Sequence, residues 1–511
     1  MKKKFMLVAI MLCLGTFVLV NKPAKAATTY VKINSTNFPD ANVRSDVKKS
    51  VDKNKDGKLS KKERNNCTKL SLTGTKKAHI KSLKGIAFFP NLKSVSLEFV
   101  ENLNGNQLVT LTKLKDLTVT PCGNTVDLSN MALDELFIND EYLIPQNNQK
   151  LLNQDQIKLP KSVKSLHSSL YQMTEHNFKG INNLSELYCS GITISKIDVP
   201  SNNKIKAFGV YASKVNNLQL SAFPYLEDVS VDAYKCCGLD FSTNLRLKSI
   251  KLENLEGYNN SIDLSKNKKL ANLSFFCCDM KKLVLPANKA TAQRLVCRFI
   301  HCECLEQCNF KDAENIYKIS TYATGFTTLD FSNVKGITYI DSYIDCQLKN
   351  MVLPKNSAKA KGLRIEIEED SSLCQCNFND ARNIYDLSII IAGFNKVDIS
   401  KLTNLKKSEV LEVKRCPELK EICLPKNSSK AKGWYCDFRS NGKLIKCNFN
   451  DAKNIRGLYL QGTRFNQINV SKLKKLKFIY CGQNKKLKKV YLPKWKRVTI
   501  HKDKKVKVKK I

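Results

Sequence analysis

Residues 52–63 carry the oxygen-bearing side chains that a hard cation requires. Their order follows the calcium-binding loop of the EF-hand type, in which Gly57 stands where the chain must turn sharply. Calcium is bound by roughly six to eight oxygens, so side chains at alternate positions, one carbonyl and a final bidentate carboxylate suffice. The predicted calcium ligands are Asp52, Asn54, Asp56, the carbonyl of Lys58, Ser60 through water, and Glu63.

The surroundings of this loop limit its calcium chemistry. Five lysines crowd the same segment and oppose a cation, so we expect a modest affinity, on the order of 10⁻⁴–10⁻³ M as in extracellular modules. The loop is single, which predicts a structural role rather than a paired regulatory sensor. The alternative is a loop that keeps its shape without a metal. The lysines are Lys53, Lys55, Lys58, Lys61 and Lys62.

Short recurring sequence motifs, called phrases below, divide the rest of the chain into repeats. A Cys-Asn-Phe phrase begins at Cys308, Cys376 and Cys447, at nearly constant spacing. Leu-Pro pairs beginning at Leu285, Leu353, Leu424 and Leu492 keep the same spacing. The unit is internally threefold, and one third of it, about 23 residues, lies in the range of leucine-rich repeats.

Each third predicts one turn of a solenoid. Its first half alternates apolar residues as a strand does, and its second half forms the opposite wall. Strand centres between Lys69 and Val498 give about 20 turns, which must stack because a single turn cannot bury its apolar edge. The predicted fold is an α/β solenoid, a leucine-rich-repeat horseshoe that is strand-rich on both walls. A small helical cap precedes it, with Val43, Val47 and Val51 on one helix face.

The chain resembles the secreted, internalin-like leucine-rich-repeat proteins of Gram-positive bacteria. A typical phrase is Ile-Asp-Leu-Ser-Lys-Asn-Lys-Lys-Leu, which runs from Ile262 to Leu270. The resemblance covers nearly everything after residue 30 and implies a helical cap before the repeats. It identifies the repeat type and does not name a ligand.

The domain boundaries follow from composition. Residues 1–26 have a basic start, an apolar run from Phe5 to Val20 and a small-residue cleavage site, which predicts a secretory signal peptide. Residues 27–66 form the cap, 67–501 the solenoid (283–493 as triple-turn repeats) and 502–511 a basic C-terminal tail. The repeat spacing slips between 139 and 163, which predicts a protruding loop. We expect a secreted protein, extracellular or non-covalently associated with the cell surface, without a transmembrane segment in its mature chain.

The charge of the chain suggests polyanionic partners. With 86 lysines and arginines against 46 acids, the formal charge is +40. Nucleic acid is the usual partner of such charge, but we do not expect it for an exported protein. Wall teichoic acids, anionic lipid headgroups and acidic glycans remain, beside the alternative of a merely solvated lysine-rich surface. We expect the positive charge to be spread along the whole coil.

The cysteines predict core thiols rather than chemistry. Cys308, Cys376 and Cys447 lie three turns apart, roughly 14 Å at strand spacing, whereas a disulfide needs Cα atoms within about 7 Å. Cys278 and Cys302 occupy the same position of successive turns and are the predicted disulfide pair. A zinc site near Cys297, His301, Cys302, Cys304 and Cys308 is not expected, because no Cys-x-x-Cys pair repeats and the core-facing cysteines lie on opposite walls.

The function predicted from these features is recognition. The five histidines are scattered and no catalytic set emerges, so we expect no enzyme. We expect a binding protein for a protein ligand on the concave face or for a cell-surface glycan, with a polycationic envelope component held by polyanions as the alternative. The predicted outward residues of that face are Tyr188, Arg298, Asp341, Glu366, Glu412, Asp437, Tyr459 and Tyr480.

Overall fold

The computed structural model describes residues 30–122, 125–139, 156–170, 174–216, 218–258, 260–344, 347–407, 409–494 and 497–511. The predicted signal peptide, residues 1–26, lies outside these ranges, as do residues 140–155 of the predicted loop. Within them, no helix is long and apolar enough to cross a membrane.

Twenty strands form one parallel sheet, the long sheet, on the wall predicted to be concave. Each strand pairs with those of the preceding and following turns, so chain order and sheet order coincide. Among the described residues the first strand pairs only with the second and the last only with its predecessor, so the sheet is open. The strands are Lys69–Thr73, Ser94–Glu101, Asp116–Cys122, Glu135–Asn139, Ser165–Ser169, Glu186–Ile194, Ala207–Val215, Asp228–Cys236, Ser249–Glu253, Asn272–Phe276, Leu295–Ile300, Ile316–Tyr322, Tyr339–Tyr343, Leu363–Glu368, Ile384–Ile390, Val410–Lys414, Trp434–Asp437, Ile455–Tyr459, Phe478–Tyr480 and Thr499–His501.

The opposite wall carries shorter strands in sheets of two or three. Strands on both walls confirm the predicted solenoid. The strands of this wall are Val126–Asp127, Ile157–Lys158, Glu175–Asn177, Lys196–Asp198, Ser261–Asp263, Lys282–Val284, Gln307–Cys308, Thr328–Asp330, Asn350–Val352, Gln375–Cys376, Lys396–Asp398, Glu421–Cys423, Lys446–Cys447, Gln467–Asn469, Lys489–Leu492 and Lys507–Lys510. Short 3-10 helices fill connections at Ile86–Phe88, Gly105–Gln107, Leu220–Ala222, Phe310–Asp312, Phe378–Asp380, Thr403–Lys407 and Phe449–Asp451.

The cap contains the helices Ala41–Ser50 and Lys61–Asn66. Asp40 begins the first helix by accepting the backbone N–H groups of Asn42 and Val43, the preferred use of aspartate at this position. The other carboxylate oxygen of Asp40 accepts the N–H of Lys81 at 2.9 Å. The helix therefore starts at a residue that also ties the cap to the first turn.

A second contact covers the open edge of the long sheet. Asp46, a half-buried residue of the first helix, accepts the N–H of Thr73 at 2.7 Å. Phe38 is fully buried and packs on Phe88 and Phe89 of the first turn. An uncovered strand edge invites pairing with another chain, so the cap protects the first strand as well as its apolar core.

The recurring phrases are explained by asparagines that bind neighbouring turns. Asn377 accepts the N–H of Leu353 at 2.7 Å and donates to its carbonyl at 3.1 Å. Asn309 and Asn448 make the same pair of bonds to the leucines of their own Leu-Pro phrases.

The same phrase also reaches the following turn. Asn379 accepts the N–H of Lys401 and donates to the carboxylate of Asp398, both at 2.9 Å. This copy of the phrase thus connects three successive turns. Asn450 of the third copy likewise accepts the N–H of Lys472, whereas the first copy has Lys311 at that position.

Most of the described cysteines lie in the solenoid core or against it, whereas Cys237 and Cys374 are exposed. Cys308, Cys376 and Cys447 occupy strands of the opposite wall, each next to Leu283, Met351 or Ile422 of the preceding turn. Burial raises the pKa of these three thiols well above the usual value. The structure therefore gives them the environment of small apolar residues, as predicted.

Candidate functional site

The predicted calcium loop is a compact turn held by its own side chains. Asp52 accepts the N–H groups of Asp56 and Gly57 at 3.2 and 2.9 Å, one on each carboxylate oxygen. Asp56 in turn accepts the N–H of Lys58 at 2.8 Å. Gly57 has a φ of +76° with open space beside its Cα, so glycine is favoured there by backbone conformation and not by crowding.

Glu63 closes the loop. Its two oxygens accept the N–H of Lys53 at 2.9 Å and the N–H of Ser60 at 2.8 Å. Ser60 is the N-cap of the helix Lys61–Asn66, and with Glu63 it forms a capping box, an arrangement that stabilises a helix start without any metal. Burial raises the pKa of Glu63, but the hydrogen bonds from Ser60 and Lys53 hold it below the ordinary value, so the side chain is anionic at neutral pH.

Asp52 is the residue of the loop that favours a cation. It is 2% exposed, and in the described part of the chain no lysine or arginine forms an ion pair with it. A buried carboxylate compensated only by N–H groups is costly unless a positive charge completes its surroundings. The oxygen ligands at the predicted positions match the preference of calcium.

The side chains of the loop do not form a preorganised metal-coordination site. Within the described ranges, nowhere do three or more carboxylate, imidazole or thiolate side chains gather around a metal position. Suitable oxygens are present, but both carboxylate oxygens of Glu63 are engaged by backbone N–H groups. Its donor types therefore fit calcium, and its hydrogen bonds also explain the loop as a metal-free turn.

A short strand supports the loop where a second EF-hand loop would otherwise pair with it. Lys58–Ser60 pairs antiparallel with Tyr30–Lys32, with Leu59 opposite Val31. The carbonyl of Gly57 accepts the N–H of Ile33 at 3.0 Å. The single loop therefore has its backbone satisfied within the cap.

The second candidate site is the outward side of the long sheet. Because side chains alternate across a strand, one residue of each strand lies in a row along its middle, the central row. From the first turn to the last, the central row is Ser71, Ser96, Thr118, Phe137, His167, Tyr188, Gly209, Ser230, Lys251, Ser274, Arg298, Ser320, Asp341, Glu366, Ser388, Glu412, Asp437, Tyr459, Tyr480 and His501.

Two groups of stacked rings interrupt this row. Near the N-terminal end, His167 stacks between Phe137 and Tyr188, with ring centroids 5.1 and 4.4 Å apart. At the C-terminal end, Tyr480 stacks between Tyr459 and His501, at 5.4 and 4.3 Å. Their ring faces are turned to each other, so each stack presents mainly ring edges outward.

The outward rows of the long sheet are acidic although the chain is basic. The three rows that begin at Lys69, Ser71 and Thr73 contain thirteen acids and six lysines or arginines within the strands, against 46 and 86 in the whole chain. The acids are Glu98, Asp116, Glu135, Glu186, Asp228, Asp232, Glu253, Asp341, Glu366, Glu368, Asp386, Glu412 and Asp437. The bases are Lys69, Lys251, Arg298, Lys318, Arg364 and Lys414.

The acids of the C-terminal half are largely neutralised. Arg364 pairs with Glu366 and Asp386, and Lys414 pairs with Glu412 at 2.9 Å. Asp437, predicted to face outward, belongs to the central row but is only 4% exposed. Two hydrogen bonds from the Arg439 guanidinium, at 2.8 and 2.7 Å, cover its carboxylate.

The acids around the N-terminal ring stack are not neutralised in this way. Glu135, Glu186 and Asp228 form no ion pair with any lysine or arginine that the structure describes. Burial, and then the charge of Glu227, raises the pKa of Asp228. Burial and the nearby Glu186 likewise raise the pKa of Tyr188. The surface around Tyr188 is therefore negative, with aromatic edges at its centre.

The structure separates the residues considered for zinc. Cys297 lies in a strand of the long sheet and Cys308 in a strand of the opposite wall. Cys302 is fully buried just after its strand of the long sheet ends at Ile300, and it lies near Cys278 of the preceding turn. Both are free thiols that donate to backbone carbonyls, Cys302 to Ile300 and Cys278 to Leu252 and Phe276. The structure thus brings together the pair predicted for a disulfide.

Sequence reasoning placed Tyr188 on the binding face and missed Phe137 and His167. Phe137 stands between the core residues Leu136 and Ile138, so the period of two could have placed it outward. His167 pairs with both Phe137 and Tyr188. Only the strand register shows that these rings stack, because the chain between residues 139 and 163 departs from the regular repeat.

In comparisons with known proteins, neither a family model nor a curated protein matches the chain. Solved structures of leucine-rich-repeat proteins do match. The functional domain of InlJ from Listeria monocytogenes is 15% identical, with 91% of this chain and 76% of that chain covered and a TM-score of 0.38. The Leptospira interrogans leucine-rich-repeat protein LIC12759 is 14% identical, with 83% and 92% covered and a TM-score of 0.38. The structure of the Drosophila Toll–Spatzle complex matches at 12% identity, with 86% and 60% covered and a TM-score of 0.46.

Proposed function

We propose that the chain is an exported recognition protein that binds a protein ligand through the N-terminal half of the long sheet. The observation that carries this proposal is the reversal of charge. A chain of formal charge +40 presents acids that have no ion-pair partner among the described residues, around the stack of Phe137, His167 and Tyr188. Unpaired acids on the outward side of the sheet are not needed for folding, because the stability of a repeat protein comes from the contacts between its turns.

The composition of this surface favours a basic protein over a glycan. Tyrosine is enriched where proteins bind one another, while lysine, aspartate and glutamate are depleted there, so the acids favour a ligand of opposite charge rather than protein binding in general. Carbohydrate, the second candidate, binds aromatic side chains over their faces, whereas the faces of His167 are covered by its two neighbours. The carboxylates around the stack suit lysine and arginine side chains of a ligand.

Export and calcium binding belong to the same proposal. Residues 1–26 have the composition of a secretory signal peptide, and the repeats then act outside the cell or at its surface without covalent attachment. Calcium at residues 52–63 would act as a structural cofactor of the cap, through Asp52, Asn54, Asp56, Lys58, Ser60 and Glu63. We propose a binding protein and not an enzyme.

The test is differential capture. The full chain is immobilised beside a variant with Glu135→Gln, Glu186→Gln and Tyr188→Ala, and beside a control with Glu175→Gln, Glu306→Gln and Tyr225→Ala, which changes the same residue types elsewhere. Proteins retained by the original chain and the control should fall at least tenfold on the first variant, as expected for loss of an interface centre. Equal capture by all three chains would refute the assignment of this surface.

A further inference from the structure

We propose that the last two turns of the solenoid bind a single-chain phosphodiester polymer through eight exposed lysines, which we call the lysine double row. This surface is separate from the long-sheet face, so the proposal goes beyond the function above and does not depend on it. The double row consists of Lys485, Lys486, Lys488 and Lys489 in one turn and Lys504, Lys505, Lys507 and Lys509 in the next.

Strand pairing stacks the two rows directly. Lys489 and Lys507 are partners in adjacent parallel strands of the opposite wall, and Tyr491 pairs with Lys509. Adjacent strands lie about 4.8 Å apart. In the connections that precede these two strands, the Nζ of Lys505 donates to the carbonyl of Lys485 at 3.1 Å. Lys485 and Lys505 are therefore also neighbours in adjacent turns.

The double row has almost no acid near it. Residues 472–511 contain sixteen lysines, one arginine and a single acid, Asp503. The carboxylate of Asp503 accepts the N–H groups of Gln483 and Asn484 at 3.0 and 3.2 Å, so it serves the backbone of the preceding turn. Positive charge is therefore concentrated at this end, contrary to the even distribution expected from the sequence.

Elsewhere the same solenoid separates its stacked lysines with an acid. Glu421 lies between Lys396 and Lys446, with oxygen–nitrogen distances of 3.6 and 3.0 Å. Asp134 lies in the same way between Lys115 and Lys164, and Glu227 between Lys206 and Lys248.

The double row lacks this arrangement. Like charges directly opposite each other on neighbouring strands destabilise a sheet. Lys214 and Lys235 also lie directly opposite each other in the long sheet, but that is a single pair, whereas the double row stacks lysines in the connections and along the strands. A repeated pattern that is locally unfavourable is expected at a functional surface. The compensating negative charge must then come from a ligand.

The lysine side chains of the double row, and the scarcity of aromatic residues among them, indicate which class of polyanion would bind. Lysine is depleted from protein–protein interfaces, and its ammonium group binds phosphate as a point charge without the fixed geometry of arginine. Within the described part of the row, side chains that could stack on bases are limited to Tyr491, whereas binding of single-stranded nucleic acid relies on successive aromatic platforms. A flexible phosphodiester polymer without bases fits these features.

The experiment compares matched charge removals in the full chain. One variant carries Lys485→Gln, Lys489→Gln, Lys507→Gln and Lys509→Gln; the control carries Lys115→Gln, Lys164→Gln, Lys206→Gln and Lys248→Gln. The probe is a fluorescent poly(glycerol phosphate) of about 20 units, titrated at 50 and 200 mM salt. If four phosphates are contacted, the affinity of the original chain should fall about 50-fold between these salt concentrations.

The double-row variant should lose at least tenfold of its affinity at 50 mM salt and have a shallower salt dependence, while the control stays within threefold. Equal losses in both variants would mean diffuse attraction and would overturn the proposal, as would the absence of binding at 50 mM salt. Tighter binding of an oligothymidylate of equal charge would assign the surface to nucleic acid instead. Unchanged thermal unfolding of both variants shows that the fold is intact. Binding through the N-terminal half of the long sheet is tested separately, by the differential capture experiment above.

Discussion

His176 shows how a single buried side chain makes this solenoid sensitive to acid. Its ring is 1% exposed in the opposite wall and stacks on Phe178 with centroids 5.9 Å apart. Neither ring nitrogen has a hydrogen-bond partner among the described residues. Burial lowers the pKa of His176 to about 4, so the ring is neutral in the folded chain at pH 7.

We predict that this turn loses stability as the pH falls below about 6.5. In that range the unfolded chain binds a proton at His176 and the folded chain does not, so unfolding is favoured. One pKa unit corresponds to about 1.4 kcal/mol, which gives a loss of about 2 kcal/mol at pH 5. Hydrogen exchange of the strands Glu175–Asn177 and Lys196–Asp198 at pH 7 and 5, corrected for intrinsic rates, measures it.

The matched variants are His176→Phe, which keeps the stacking and removes the titration, and His501→Phe at an exposed position. His176→Phe should abolish the pH-dependent part of the loss, and His501→Phe should leave it. An equal loss in His176→Phe would assign the acid sensitivity to other groups.

The paired thiols Cys278 and Cys302 lead to a second prediction at this scale. They are free thiols, fully buried in successive turns, and close enough for each to affect the ionisation of the other. Under oxidising conditions we expect this pair to form a disulfide before any other two cysteines of the solenoid.

Peptide mapping of the non-reduced protein by mass spectrometry measures the linkage. Cys278 and Cys302 should be linked or remain thiols, and Cys278→Ser should leave Cys302 free. A bridge between Cys308 and Cys376 is incompatible with the strand register, since three turns separate them.

At the scale of single elements, the turn at residues 52–63 and the helix before it could be predicted from the sequence, whereas the strand pairing that supports the turn could not. The spacing of Val43 and Val47 predicted the first helix, and both valines are buried. The pairing of Lys58–Ser60 with Tyr30–Lys32 joins two segments that lie on either side of that helix in the chain, and no local pattern encodes such a contact. The same limit applies to the stacking of Phe137 and His167 across an irregular stretch of chain.

We predict that calcium protects the cap and leaves the solenoid unchanged. Binding should engage Asp52, Asp56 and Glu63 with a dissociation constant on the order of 10⁻⁴–10⁻³ M. Hydrogen exchange of residues 38–66 should slow as calcium is raised to several millimolar, while the strand Ile455–Tyr459 keeps its rates.

Glu63→Gln is the matched variant, because glutamine retains the capping box and loses the charged bidentate ligand. Its single amide oxygen can keep the bond from the Ser60 N–H but not also the one from the Lys53 N–H. Without calcium the variant should therefore exchange somewhat faster near Lys53, and calcium should add no protection. If the original cap gains no protection at several millimolar calcium, the loop is a metal-free turn.

At the scale of the whole molecule, the structure segregates charge that the sequence presents only as a total. Acids outnumber bases in the outward rows of the long sheet, and the final two turns carry lysines almost alone. The repeat period predicted the number of turns, because each turn obeys the same local pattern. It could not reveal which face collects the acids, since that depends on the outward residue of every strand at once.

Two independent surfaces predict that the chain can hold a polymer and a protein together. The N-terminal half of the long sheet and the lysine double row lie many turns apart, so occupation of one leaves the other open. A chain adsorbed through its last turns would present Tyr188 and the surrounding acids to a second partner.

The most direct test is protein capture by chains already bound to a surface coated with poly(glycerol phosphate). The original chain should load onto the polymer and retain the same proteins that it retains when immobilised covalently. The variant with Glu135→Gln, Glu186→Gln and Tyr188→Ala should load equally and capture at least tenfold less, whereas the double-row variant should fail to load and capture normally when attached covalently. Loss of both loading and capture in each variant would contradict the account, because the two activities would then share one surface.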